Sequence, residues 1–453
     1  MSGPGSDPLV TCRRRVRELQ SASRVPSVVA AVTRGGELAW SDCVGLADVA
    51  AERPATLDTQ YRIGSITKTF TAVLLMQLRD AGRLELDDRL ERHLPDTRHG
   101  AATLRQLLTH LSGLKREPEA GPAGEMWEVL EAPDRSQLLD GLERAEPVLP
   151  AYRRWHYSNL AYAVLGEVVA RATGGTWEAV LRERLLGPLG LRRITVEPVE
   201  PCARGYLSDP YADVLHPEPP TALGALAPAG QLWSSAADLA RWASFLAAPD
   251  PAVLAPGTLA EMRHLHAMAD AEQWTLGWGL GLMLYRRGER VWHGHGGAMP
   301  GFLATAMCSA EEGDPAGVVV LANTSTGADT EALAGELLAA VLETEPSDRL
   351  PWRPGDPPPG DVVGLLGRWW SEGSELVMSW RSDRLEGRSV DAPAHQPPAV
   401  FEPVAADRWR VVSGREQGEV LRVVRDSEGA AARMYWAGYP LTRAVQVFGT
   451  PAE

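Results

Sequence analysis

The chain is almost without lysine: of its 45 lysines and arginines, only Lys68 and Lys115 are lysine. Basic charge is not in excess either. The formal net charge is −14 and the sequence pI is near 5.3, which speaks against a face built for nucleic-acid phosphates. No window approaches the roughly 18 apolar residues of a membrane span, and the stretch MSGPGSDPLVTCRRRVRELQ lacks the apolar run of a signal peptide. A cytoplasmic protein with no membrane partner is therefore expected. Cysteine is scarce as well: Cys12, Cys43, Cys202 and Cys308 are far apart and form no C-x-x-C, so neither a disulfide framework nor a zinc site is indicated, and buried free thiols are expected.

What is present belongs to an ordinary globular protein, with 44% apolar and 23% charged residues. A length of 453 residues favours two domains over one core. Residues 25–48 read as two strands joined at Gly35 and Gly36. From Ser65 a helix follows whose apolar positions (Phe70, Val73, Leu74, Met76, Leu78) are too dense for a one-sided stripe, so it should be buried nearly all round. Residues 103–200 are mostly helical in pattern, and SAADLARWASFL at 235–246 is a capped amphipathic helix. Strands are expected at about 275–285, 301–308 and 316–322, with a helix at about 329–343. This order suits an antiparallel sheet covered by helices, with a helical region beside it, in an α/β domain spanning 1–348. The segment RLPWRPGDPPPGD, residues 349–361, is too rich in proline and glycine for helix or strand and reads as a linker. Short alternating runs beyond it, such as ELVMSW and EVLRVVRD, predict a small all-β domain over 362–453.

Ser65 alone would be an unremarkable helix N-cap. Lys68 changes the weighing, because residues three apart share a helix face. A serine hydroxyl becomes a nucleophile when a base takes its proton, and an amine can be that base only when neutral. Burial, the positive end of the helix dipole and a nearby cation each lower a lysine pKa; arginine could not substitute, since its guanidinium stays protonated. Chance predicts roughly 0.1 S-x-x-K matches in so lysine-poor a chain, so a second signal is needed. It comes at WHYSNLAYAVLGEVVA, 155–170, where Y-x-N (Tyr157, Asn159) is expected by chance only about 0.04 times. Tyr157 is a candidate proton shuttle, and Asn159 offers an amide for a substrate carbonyl; the alternative is a plain helix start with Ser158 or Asn159 as cap. The third element, H-x-G at His295, Gly296 and Gly297 in WHGHGGAMPGF, is weak alone. Glycines at a strand edge nevertheless let backbone approach an acyl group, and a nearby N–H can face an oxyanion. His293 and His295 form an H-x-H without further ligands close by, so no metal is expected.

With these elements in order, residues 20–345 resemble the penicillin-binding-protein and class C β-lactamase-like serine hydrolases, in the branch with S-x-x-K, Y-x-N and H-x-G. LLTHLSGL at 107–114, LLGPLGL at 185–191 and LAPAGQLWSSAADLARW at 226–242 are further family-like phrases. The resemblance implies Ser65 as acylated nucleophile, Lys68 as its base, Tyr157 as relay to the leaving group and Asn159 as contact to substrate and lysine. It puts His295 at the third-motif position near the tyrosine and makes the backbone N–H groups of Ser65 and Ala298 the oxyanion hole, with no cofactor. The C-terminal region resembles the lipocalin-like domain found behind this hydrolase domain in some members. There it implies a structural appendage or an active-site wall, with Arg443 as a contact to an anionic substrate group. The family does not fix the acyl acceptor. The resemblance extends to thioesterases of penicillin-binding-protein type, which take a peptide, often ending in a D-residue, from a carrier-protein thioester and cyclise or hydrolyse it. An esterase or β-lactamase-like hydrolase, a D-amino-acid-specific peptidase and a binding protein on a dead scaffold stay open. The expected partner is a small-molecule or peptide acyl substrate, carrier-bound in the thioesterase case.

Overall fold

In the computed structural model, residues 8–119, 127, 130, 132–311, 313–344, 354–371, 373–393 and 396–446 are described. The chain divides into two compact units, one within residues 1–348 and the other within 349–453. Of the expected linker, 349–353 lie outside the described residues; Pro359 then caps a short helix, Gly360–Val363, that the proline content had spoken against. Proline is tolerated there because it sits before the first turn, where no helical N–H is needed.

The first unit is built on a nine-stranded sheet. Its order is Arg53–Pro54, Glu37–Asp48, Ser27–Arg34, Ala316–Ala322, Phe302–Ser309, Arg290–Met299, Met283–Arg287, Leu276–Trp278, Ala267–Met268, and every neighbouring pair is antiparallel. Strand Ser27–Arg34 shows why the sheet needs cover on both faces. Val29 and Ala31 enter the core shared with the helical region, while Val28, Ala30 and Val32 enter a second core under helices Pro8–Ala22 and Thr330–Thr344. Such strands read as unbroken apolar runs, not alternating ones.

Two expectations are corrected. The stretch 275–285 is two short strands, Leu276–Trp278 and the start of Met283–Arg287, and the glycine-rich motif HGHGGAM lies inside a ten-residue strand, Arg290–Met299. Glycine has poor intrinsic strand preference, so pairing with both neighbours has to override it. Helix Pro8–Ala22 is not anticipated at all; its Cys12 and Val16 are buried. The four cysteines are free thiols, but only Cys12 and Cys308 are buried; Cys43 and Cys202 are partly exposed.

The second unit is an eight-stranded antiparallel meander in chain order, from Gly367–Ser371 to Tyr439–Leu441. Its ends meet: the Trp370 N–H donates to Thr442 O (2.8 Å) and the Thr442 N–H to Trp370 O (3.0 Å). This isolated bridge leaves the barrel nearly closed, and Trp369, Met378, Leu385, Phe401, Leu421 and Met434 fill the interior.

Candidate active site

Ser65 lies in a single 3₁₀ turn, Gly64–Ile66, that runs into helix Thr67–Asp80. No side chain caps either element, so the Ser65 hydroxyl is not occupied as an N-cap. Helix Thr67–Asp80 is buried on all sides over its first ten residues, which fixes the turn on a rigid rod. Lys68, in its first turn, is wholly buried. Its amine donates to Asn159 Oδ1 (2.7 Å) and the carbonyl of Ala229 (2.6 Å) and lies within hydrogen-bond distance of Ser65 Oγ (3.2 Å). Desolvation pushes the amine well below its usual 10.5; Glu117 opposes the shift and the Arg116 cation adds to it. The other lysine, Lys115, makes a half-exposed ion pair with Glu119 at 2.6 Å and takes no part.

Tyr157 and Asn159 stand at the start of helix Asn159–Thr173, where the cap reading holds and the two side chains also reach the cleft. Ser158 is the N-cap, accepting from the Ala161 N–H (3.0 Å), while its neighbours on each side turn into the site. The Lys68 amine sits 4.8 Å from the centre of the Tyr157 ring, and the Arg116 guanidinium lies 5.0 Å from it. Burial pushes the Tyr157 phenol up, while Ser65 and Arg116 pull it down. Asn159 is more occupied than expected: Lys68 takes its oxygen, and its Nδ2 donates to Glu117 Oε1 (2.6 Å).

His295 is on strand Arg290–Met299, its ring centre 6.2 Å from that of Tyr157. Its Nδ1 is 2.5 Å from the Gly296 carbonyl, a contact that makes Nδ1 the protonated nitrogen, and its buried Nε2 has no partner among the described residues. Burial and Lys68 push His295 down to about 3, so it is neutral at pH 7 and adds no cation. The same strand brings Ala298 to the serine turn. A Cβ on Gly64, whose φ is +51°, would stand 2.7 Å from Ala298 N; one on Gly297 would stand 2.0 Å from Ile63 O and 3.3 Å from Ser65 N. Only glycine at both places allows the two backbones this close.

Arg443, expected as a contact to an anionic substrate group, is engaged within the barrel unit. Its guanidinium donates to the carbonyls of Gly364, Leu366 and Arg368 and lies 3.8 Å over the Trp369 ring, so it ties the barrel's first strand to its last turn. A guanidinium so engaged has few donors left for a substrate anion.

Several residues escape a reading of motifs. Glu117 and Arg116 follow directly on LLTHLSGL, and His110 lies within it. The His110 Nδ1 accepts the Ser158 N–H at 3.0 Å and its ring packs 4.5 Å from that of Tyr157, so it holds the Y-x-N turn in place. Burial keeps His110 neutral, as that acceptor role requires. Two recesses meet at Ser65, Arg116 and Ala298. One, of about 470 Å³, is lined by Tyr157, His295 and Glu331; the other, of about 180 Å³, by Asn159, Glu117 and apolar side chains. Among the described residues, no group of three or more acidic, histidine or cysteine side chains could hold a metal, and no helix is long and apolar enough to cross a membrane.

Among curated proteins, the chain is 28% identical to penicillin-binding protein 4 of Amycolatopsis lactamdurans over 385 residues, covering 80% of this chain and 97% of that one. Other curated relatives are matched over only about half their length. Among solved structures, SurE is 26% identical with a TM-score of 0.63, over 96% of this chain and 99% of that one. A D-stereospecific amidohydrolase from Streptomyces is 28% identical with a TM-score of 0.60, over 71% and 96%. Residues 358–443 match a domain of unknown function. The beta-lactamase family model matches residues 12–343, the stretch that carries the whole Ser65 constellation, and the chain belongs to that family of serine hydrolases.

Proposed function

We propose that the protein is an acyltransferase working through a Ser65 acyl-enzyme, with a carrier-bound peptide thioester ending in a D-residue as donor and an internal amine as preferred acceptor. The observation that carries the chemistry is the buried Lys68 amine 3.2 Å from Ser65 Oγ, with its pKa pushed down by desolvation. Ser65 Oγ attacks the thioester carbonyl while Lys68 takes its proton. The oxyanion that forms is met by the N–H groups of Ser65 and Ala298. As the C–S bond breaks, Tyr157 passes a proton to the departing sulfur and is reprotonated from Lys68. In the second half an amine or water attacks the ester carbon, and Ser65 leaves with its proton restored.

The D-configured donor is supported by likeness to a D-stereospecific amidohydrolase and to SurE, which has also been solved with D-Leu. The thioesterase reading draws on the SurE likeness, which runs over 96% of the chain and so includes the barrel region. The test offers a peptide thioester ending in a D-residue, a simple ester and a cephalosporin, and weighs the products. A cyclic product is expected from the thioester; linear acid alone, with fast ester turnover, would make the protein a plain hydrolase.

A further inference from the structure

A base must point its lone pair at the proton it takes. As a base the Lys68 amine is neutral, with two N–H groups and one lone pair, and three polar atoms lie within hydrogen-bond reach of it. Asn159 Oδ1 and the Ala229 carbonyl each accept an N–H, at 2.7 and 2.6 Å, which leaves the lone pair for Ser65 Oγ at 3.2 Å. With either acceptor displaced, the amine is free to turn about its Cε–Nζ bond and offer Ser65 a hydrogen instead. The placing of the Ala229 carbonyl therefore bears on rate as well as on packing.

Ala229 belongs to a four-residue helix, Ala227–Gly230, whose last carbonyls have no partner farther along it. Helix Thr67–Asp80 takes up that segment on both sides of Ala229: the Thr71 hydroxyl donates to the Pro228 carbonyl at 2.8 Å, and Thr67 Oγ1 accepts the Leu232 N–H at 3.2 Å. A buried helical threonine commonly returns its hydrogen to the preceding turn, as Thr69 does to Ile66 O at 2.8 Å. Thr71 does otherwise. The indole Nε1–H of Trp177 donates to Thr71 Oγ1 at 3.1 Å, which leaves the hydroxyl hydrogen to Pro228. Helix Asn159–Thr173 presses on the same proline, since a Cβ at Gly166 would stand 2.1 Å from Pro228 Cγ. We infer that Thr71 is a positioning residue for acyl transfer: by holding the Pro228 carbonyl it aims the adjoining Ala229 carbonyl at Lys68, and so keeps the amine's lone pair on Ser65 Oγ. This rests on the Ser65 acyl-enzyme reading and adds to it a residue that touches no reacting atom. Thr71 is wholly buried and does not line either recess at Ser65.

The test labels the full-length protein with a fluorophosphonate. Ser65 Oγ bonds to phosphorus as fluoride leaves, Lys68 takes the serine proton, and intact mass is followed against time and probe concentration. The time course gives a rate at saturation and a half-saturating concentration, neither of which depends on what fraction of the sample is folded. In Thr71→Val and Thr71→Ala the saturating rate should fall about tenfold or more, on the scale of a misplaced catalytic group, with the half-saturating concentration within about twofold of wild type. Thr71→Ser keeps the hydroxyl and should return the rate to within about threefold of wild type, although it gives up a methyl group. A smaller fall in Thr71→Val or Thr71→Ala, a fall confined to the half-saturating concentration, or a loss in Thr71→Ser as large as in Thr71→Ala would overturn the proposal and leave Thr71 a packing residue. Should one of the two variants without a hydroxyl not fold, the other decides. Failure of the acyl-enzyme reading looks different: the wild type itself would gain no mass at Ser65.

Discussion

Lys68 works as a base only while uncharged, so its surroundings and its chemistry make opposite demands on stability. Lys68→Arg keeps charge and approximate length, yet acylation should fall to background, because a guanidinium stays protonated; near-normal acylation would remove Lys68 from the role. The pH behaviour follows from the depressed amine. Acylation should lose rate only as pH drops through the lowered Lys68 value, far on the acid side of 10.5, and a rate still climbing steeply near 10.5 would contradict the assignment. The same shift has a sign in stability. Between the lowered value and 10.5 the unfolded chain binds the proton that the folded amine refuses, so folding weakens as pH falls through that window. Lys68→Met removes this dependence. Its melting temperature relative to wild type should therefore improve from pH 10 to pH 7, and a constant difference would mean that the amine is not depressed. Of the site residues, Ser65, Lys68, Tyr157, Asn159 and His295 were legible because S-x-x-K, Y-x-N and H-x-G are local patterns in a chain with two lysines and two asparagines. Glu117 and His110 were not, since what makes them matter is contact with Asn159 and Ser158, some 40 residues away in the chain.

At the scale of elements, the site depends on how closely strand Arg290–Met299 approaches the Gly64–Ile66 turn. A methyl group at Gly297 cannot fit 2.0 Å from Ile63 O, so Gly297→Ala must push the strand and the Ala298 N–H away from Ser65. Losing one oxyanion-hole donor typically costs about 10²–10³ in rate, and kcat for ester hydrolysis should drop by that order. Little change in kcat would mean that this approach does not serve the oxyanion. Helices with clear caps, such as Ala236–Ala247 behind Ser235, could be read from the sequence because capping and periodicity are local. Strand Arg290–Met299 was harder, because three of its residues are glycine and its order comes from pairing with Met283–Arg287 and Phe302–Ser309. Short strands such as Leu276–Trp278 carry too few residues for a period to show.

For the whole molecule, the barrel has its own core and its own closure, and Arg443 belongs to that closure. Arg443→Ala should lower barrel stability by about 1–2 kcal/mol, from carbonyls that lose a charged donor, while Ser65 acylates at the wild-type rate. A large fall in acylation with unchanged melting would restore Arg443 to the substrate. The central claim concerns Ser65, and it is tested most directly by the intact mass of the full-length protein after exposure to a serine-directed acylating probe. The account predicts a single adduct on the wild type, mapping to Ser65, and none on Ser65→Ala. A folded wild type that gains no mass, or a Ser65→Ala variant that gains the same mass, would contradict it.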